Sequence, residues 1–403
     1  MRMNRRAVIT GMGVVSALGR DLDAFWGGLV ANRSALAPID RFDPEGLRNP
    51  LGGQVREFEF APGAFGLDAA PDLATQFLLV AAREAIVRAA LLPAEEPDPG
   101  LGVVLATNFG GANAWEEYVA GLLAEEVRTE AFAEARFERA AEHACAAFGI
   151  GGPCLLLSVA CASGAAAVGA ALDLIRTGAA NVVLAAGYDA LAPTPLSGLS
   201  VLRTITDEMI RPFSADRSGT IFGEGAAALV VEDLEHARAR GTQPIAEVLG
   251  WAENNNAYHV TAPDHGGAGM TRVVRNALAD ADADPRSIDY INAHGTGTQP
   301  HDPAEVQAVK NVLGARACEI PMSSIKGAVG HMMGAAGAAE IIATALTITA
   351  GVIPPTLHYR EPDPGCDLDH VPNAARPGEV RRALSISAGI GGNNSCVVLG
   401  AVS

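Results

Sequence analysis

Several things are scarce in this 403-residue chain, and each scarcity closes off a class of function. Aromatic residues make up only 5%, so an aromatic-rich core or stacking surface is not expected. Basic residues are outnumbered, 29 against 46 acidic ones, and the formal charge of −17 argues against a nucleic-acid partner. The six cysteines (Cys145, Cys154, Cys161, Cys318, Cys366, Cys396) contain no CxxC pair and no spacing suited to a metal. They are expected to be reduced, mostly buried thiols of a cytoplasmic protein. No window holds the unbroken apolar stretch that a membrane span needs. The opening MRMNRRAVITGMGVV places basic residues before apolar ones, but Gly11 and Gly13 interrupt the run and no cleavage-like site follows. A first core strand is expected there, not a signal peptide. The same GMG lacks the third glycine of a dinucleotide fingerprint, having Ser16 in its place.

What the chain has in quantity is small residues and alternation. Hydrophobic residues make up 49%, charged ones 19%, and there are 45 glycines, which suits a compact protein of closely packed helices and backbone-lined turns. Strand-like runs at 6–10, 102–107, 155–160, 181–187 and 226–232 alternate with helical ones at 74–90 and 162–177. A charged helical stretch, 233–240, ends at Gly241 and reads as a link between halves. Beyond it the plan repeats, with strands at 245–250, 288–294, 320–325, 383–387 and 395–400 and helices at 271–280, 304–313 and 334–349.

SVACASGAAAVGAALDLIRTG and SSIKGAVGHMMGAAGAAEIIATALTITAG both run from a buried strand into a helix of Ala and Gly. This internal echo implies two βαβ-rich halves, 1–241 and 242–403, with mixed or parallel sheets and two central helices able to pack closely.

The reactive residues stand at junctions between these elements. Cys161 follows a buried strand and opens a helix, where free N–H groups and partial positive charge favour a thiolate. His294 ends a strand, in HGTGT; His331, in IKGAVGH, precedes the second small-residue helix. Sites in open α/β sheets form at the carboxyl ends of strands, so the three can converge. A cysteine with two imidazoles suits acyl transfer followed by stabilisation of a developing enolate. A cysteine protease would leave the second histidine unexplained. Lys326 and Glu340 could form a buried pair supporting His331. The GIGGNN run (389–394) could supply oxyanion N–H groups, or be an ordinary tight turn.

RRAVITGMGVVSALG, ACASG around Cys161, RPFSADRSGTIFGEGAAALVVE, NAHGTGT, SSIKGAVGHMMGAAGAAE and GIGGNN together resemble the β-ketoacyl-ACP synthase family, closest to its type II elongating members. These segments span nearly the whole chain in the family's order. The resemblance implies an α/β thiolase-like fold and a dimer, with itself or with a ketosynthase-like paralogue. It implies Cys161 as nucleophile, with the N–H groups of Cys161 and Ile390 as oxyanion hole. His294 and His331 would bind the malonyl-ACP carbonyl and promote decarboxylation. Lys326 and Glu340 would order the site, and Thr296 and Thr298 would contact the phosphopantetheine arm, which arrives on the acyl carrier protein. No cofactor or metal of the protein's own is expected.

Three departures from the family are visible. Ala388 and Ile390 stand where relatives have phenylalanines in the gating loop. Phe109 lies at the acyl pocket, where relatives often have a smaller residue, so a size exchange with Ile390 would conserve volume. The segment 63–76 aligns with a basic carrier-docking stretch, yet holds Asp68, Asp72 and no base. These departures point toward a specialised polyketide or polyene pathway over housekeeping fatty-acid synthesis. The alternative is a non-catalytic or partner-dependent subunit of a ketosynthase heterodimer.

Overall fold

The computed structural model describes residues 5–91 and 96–403; the start of the basic opening, 1–4, lies outside the described residues. Ten strands form one continuous mixed sheet. In chain order they are β1 (Ala7–Ser16), β2 (Leu101–Ala106), β3 (Cys154–Leu157), β4 (Val182–Asp189) and β5 (Gly225–Asp233). After them come β6 (Ala246–Asn255), β7 (Tyr290–Asn292), β8 (Met322–Ser323), β9 (Arg382–Gly389) and β10 (Asn393–Gly400). Their spatial order is β8-β7-β9-β10-β6-β1-β5-β4-β2-β3. Read outward from the central antiparallel β1–β6 contact, where Ala7 faces Val248, the two sides run through corresponding strands in the same sequence. The sheets of the two halves are thus one sheet, joined edge to edge at their first strands.

Both faces of the central strands are covered, which is why β1, β4 and β5 read as unbroken apolar runs and not as alternating ones. Helix α1 (Leu73–Arg88) packs on β1, β5 and β4, whereas α3 (Ala268–Asp280) packs on β6 and β10. Helices α2 (Ser163–Thr177) and α5 (Ala336–Ala350) touch each other and strands from both sides of the junction. The sheet therefore folds around this pair and buries it. Their contact is close because side chains are missing. A Cβ on Gly164 would come within 2.7 Å of the Ala338 N, and one on Gly337 within 2.5 Å of the Ala165 N. The run Met333–Ala350 is long and apolar enough to cross a membrane, contrary to the expectation from sequence. With 78% of it buried inside the protein, it is a core helix.

The structure corrects other expectations. The strand before Cys161 is short and lies at the sheet edge, with Cys154 and Leu155 exposed, so it is not a buried strand. Of the six cysteines, Cys161, Cys366 and Cys396 are buried, Cys145 is half-buried, and Cys154 and Cys318 are exposed. Asp72 is not a surface charge: it caps α1 through the Ala74 N–H and also accepts from the Ala114 N–H, while burial pushes its carboxyl up to about 6. Helices at Ala112–Leu123 and Phe137–Phe148, absent from the sequence reading, cover the region beyond β2 and β3.

Candidate active site

Cys161 sits in a tight elbow between β3 and α2. Ala160 takes a left-handed conformation, φ +55°, which an alanine adopts only when its surroundings hold it there. Ser163 supplies that hold, accepting from the Val159 N–H at 2.8 Å and donating to the Ala160 carbonyl at 2.5 Å. The thiol is nearly fully buried, at 6% exposure. It accepts from the Ile390 N–H and lies 3.9 Å from the Asn108 Nδ2. Burial pushes it up to about 11, outweighing the pull of Lys326 and of those donors. At Cys161, then, burial outweighs the pull toward a thiolate that the helix N-terminus suggested.

Ile390 reaches Cys161 because Gly389 has no side chain: a Cβ there would meet Ala160 Cβ and Cys161 N at 2.9 Å. The loop after β2, which brings Asn108 to the elbow, is tied down by Asp189, at the end of β4, which the sequence reading overlooked. Its buried carboxylate accepts from Thr107 Oγ1 (2.7 Å), the Asn108 and Phe109 N–H groups (3.0 Å each) and the Gly334 N–H (2.7 Å). Burial lifts this carboxyl to about 6, still ionised at neutral pH. The Gly334 contact fastens the two halves together beside the site.

The second half brings two imidazoles to the same channel that Cys161 lines. The rings of His294 and His331 lie edge to face, with centroids 5.3 Å apart. His331 also stacks against Phe222, at 5.4 Å. Its Nδ1 accepts from the Met333 N–H at 3.3 Å, so the proton of the neutral ring belongs on Nε2. The Nδ1 of His294 faces the Lys326 ammonium at 3.4 Å, which fixes the same tautomer. Burial first, and Lys326 second, push both imidazoles well below their usual range, keeping them neutral. The site therefore offers two Nε2–H donors on nearly buried rings.

Lys326 and Glu340 do form a buried ion pair, each 1% exposed. The partner they support is His294, not His331 as expected: the ammonium bonds the His294 carbonyl and faces its Nδ1. All three ammonium hydrogens are thereby used. Glu305, another residue the sequence reading passed over, shapes the loop that carries His294. Its carboxylate accepts from the His294 N–H at 2.7 Å and the Gly295 N–H at 2.9 Å. Thr296 and Thr298 line the channel, joined through their hydroxyls at 2.9 Å.

Cys161 also borders a second cavity, of about 760 Å³ and mostly apolar walls. Phe109 and Ile390 both line it and pack against one cluster with Leu199, Phe222 and Met333; Ala388 lines the channel instead. On the segment 63–76, Asp68 is exposed while Arg83, from α1, lies 4.6 Å from the Phe65 ring.

A thiol between an apolar cavity and a donor-lined channel suits transfer of an acyl group onto a second thioester. Comparison with known proteins identifies the family directly. The family model described as "Beta-ketoacyl synthase, N-terminal domain" matches residues 4–237, and "Beta-ketoacyl synthase, C-terminal domain" matches 245–360. The chain belongs to the β-ketoacyl synthase family. It is a ketosynthase of the type found in type II polyketide and fatty-acid synthesis. The 3-oxoacyl-[acyl-carrier-protein] synthase 2 of Coxiella burnetii is 36% identical, with 99% of each chain covered. The tetracenomycin polyketide synthase ketoacyl synthase alpha subunit of Streptomyces glaucescens is 38% identical, covering 98% of this chain and 97% of its own. Among solved structures, the ishigamide ketosynthase/chain length factor is 35% identical, with a TM-score of 0.93 over the whole of both chains. The fold is accordingly the thiolase-like fold of ketosynthases.

Proposed function

We propose that this ketosynthase is the catalytic subunit of a condensing enzyme, joining a Cys161-bound acyl group to malonyl-ACP by decarboxylative Claisen condensation. The observation that carries the reading is the pair of neutral imidazoles presenting Nε2–H groups beside a buried thiol. In loading, the Cys161 sulfur bonds the acyl carbon, the carrier's thiolate leaves, and it takes up the thiol's proton. The oxyanion formed on the way is met by the N–H groups of Cys161 and Ile390. In condensation, His294 and His331 donate to the malonyl thioester carbonyl. The bond to the carboxylate breaks, CO₂ leaves and its electron pair enters the enolate. The α-carbon then attacks the acyl carbon, and the Cys161 sulfur departs and regains a proton. Thr296 and Thr298 would contact the phosphopantetheine arm in the channel, and the acyl chain would occupy the 760 Å³ cavity.

Dimerisation is part of the proposal. The edge strand β3 is exposed, as are Trp115 (46%) and Phe137 (41%), which line the acyl cavity. A monomer would leave this apolar wall wet. The second copy is either this chain or a paralogue like the chain length factor of the ishigamide structure. The role of a non-catalytic subunit is disfavoured, because Cys161 and its donors are all present.

Intact-mass analysis after incubation with a panel of acyl-ACPs tests the proposal, beside a Cys161→Ala control. The expected result is a mass increase equal to the acyl group, absent in the control. No loading from any donor, with or without a paralogous partner, would overturn the catalytic reading.

A further inference from the structure

A third imidazole stands at this site, with no role in the mechanism so far. His301 opens α4 (His301–Leu313) and lines the channel with Cys161, His294 and His331. Its ring lies edge to face against that of His294, with centroids 4.9 Å apart. The side chain is 14% exposed, and both ring nitrogens are buried without a hydrogen-bond partner. Buried polar atoms are nearly always paired, so two orphans on one ring in a substrate channel mark a place that a ligand or water fills.

The surroundings indicate what the ring offers. Nδ1 lies 3.9 Å from Asp302 Oδ1 and 3.8 Å from Glu305 Oε2. Both carboxylates are fully buried and act as acceptors: Glu305 from the N–H groups of His294 and Gly295, Asp302 from those of Phe213 and Gly297. Neither contact is close enough for a hydrogen bond, so whichever ring nitrogen carries the proton presents an N–H without a partner. His294 lies on the other side of the ring, with the Lys326 ammonium behind it and His331 beyond. The ring is thus an unpartnered hydrogen-bond donor at the channel wall.

Resting on the condensing reading above, we infer that His301 is a specificity-determining residue that recognises the free carboxylate of the extender. A malonyl thioester whose carbonyl accepts from His294 and His331 carries its carboxylate one methylene away. A ring that contacts His294 and lines the same channel is within reach of that carboxylate. One hydrogen bond there selects an acidic thioester over an unsubstituted one and orients the bond that breaks. The carboxylate is lost as CO₂, so the contact acts on binding more than on the later attack.

The test uses the full-length protein with malonyl-pantetheine and its acetyl counterpart as probes. Competition by each against acyl loading of Cys161 is measured in wild type, His301→Gln and His301→Phe. Wild type is expected to favour the malonyl probe. His301→Phe should lose that preference by roughly tenfold, the usual worth of a hydrogen bond to a charged group, with KM for malonyl-ACP rising more than kcat falls. His301→Gln, which keeps an N–H donor, should recover part of it. Loading in the variants reports an intact fold. An unchanged malonyl-to-acetyl ratio in His301→Phe, or equal losses for both probes in both variants, would overturn the inference. Failure of wild type to load at all would instead overturn the condensing reading.

Discussion

The carboxyl ends of β2, β3 and β4 correspond by strand order to those of β7, β8 and β9, yet they carry opposite chemistry. On the first side stand Asn108, Cys161 and Asp189; on the second, His294, the Lys326–His331 stretch and Ile390. The first side is fastened by a buried anion, Asp189, whose four donors pin the Thr107–Phe109 loop beside Cys161 and tie it to Gly334. The second is fastened by a buried cation, Lys326, which adds to burial in keeping two imidazoles neutral. On the proposed mechanism, one scaffold used twice yields a half that holds an acyl group and a half that absorbs negative charge. Neither is a complete site, and the Asp189–Gly334 bond lies where they meet.

The cation on the second side is the place where the comparison breaks most readily. Lys326→Ala leaves Glu340 buried without its partner, and denaturant unfolding at pH 8 should show a loss of about 3–5 kcal/mol. The double variant Lys326→Met with Glu340→Leu should recover most of that stability while staying inactive. The pH dependence has a definite sign. Burial already pushes the Glu340 carboxyl up, and removing the ammonium pushes it further. A raised folded-state value favours the protonated native form. The stability it contributes is present at acid pH and is lost as pH rises through the raised value. Lys326→Ala should therefore lie closer to wild type at pH 5 than at pH 8. An equal deficit at both would mean that the pair's charge is not what matters.

Next in size is the division of labour between the halves. His294→Ala and His331→Ala should each lower condensation by about 10²–10³-fold, the usual cost of a lost oxyanion donor. Loading of Cys161, followed by intact mass, should persist in both, since its oxyanion is met by backbone N–H groups. If either variant lost loading to the same degree, the imidazoles would serve both steps and the two-sided picture would fail. Because both rings are pushed well below their usual range, the acid limb of decarboxylation should fall well below pH 6.5. The neutral, donating form is lost only as pH drops through those depressed values.

How much of this could be read from the chain follows the same division. Cys161, His294 and His331 were visible because each is a reactive type at a strand-to-helix junction. The small-residue helices showed through composition, since a helix of Ala and Gly has a reason only where backbones meet. Asp189 and Glu305 were not legible. A carboxylate inside VVLAAGYDA or DPAEVQ looks like a surface charge until the fold supplies backbone donors around it. His301 was hidden likewise, as one more polar residue in QPHDPAE. Asp72 misled for this reason too, being a helix cap turned inward and not a docking charge. The edge position of β3 depends on strand order, which local pattern does not carry.

The resting state of Cys161 sharpens the comparison further. A thiolate held by a helix N-terminus would alkylate at a rate independent of pH above neutrality. A thiol pushed up to about 11 by burial should react with iodoacetamide about tenfold faster for each pH unit, with no plateau through pH 9. Mass spectrometry of the Cys161 peptide would follow this without interference from exposed Cys154 and Cys318. A plateau below pH 8 would show that the helix end and Lys326 outweigh burial.

The smallest effect concerns the acyl cavity, where both halves contribute a wall: Phe109 from the first and Ile390 from the second. Phe109→Ala should enlarge the 760 Å³ space and raise loading of longer acyl groups by a few fold relative to short ones. Ile390→Phe should do the reverse, because a larger side chain on the GIGG turn projects into the same space. The combination Phe109→Ala with Ile390→Phe tests whether the two sizes are exchangeable. Its loading profile should return toward wild type if the cavity's volume sets chain length. Should the double variant instead follow Phe109→Ala alone, Ile390 would act on Cys161 only through its backbone N–H, and the pocket would belong to the first half.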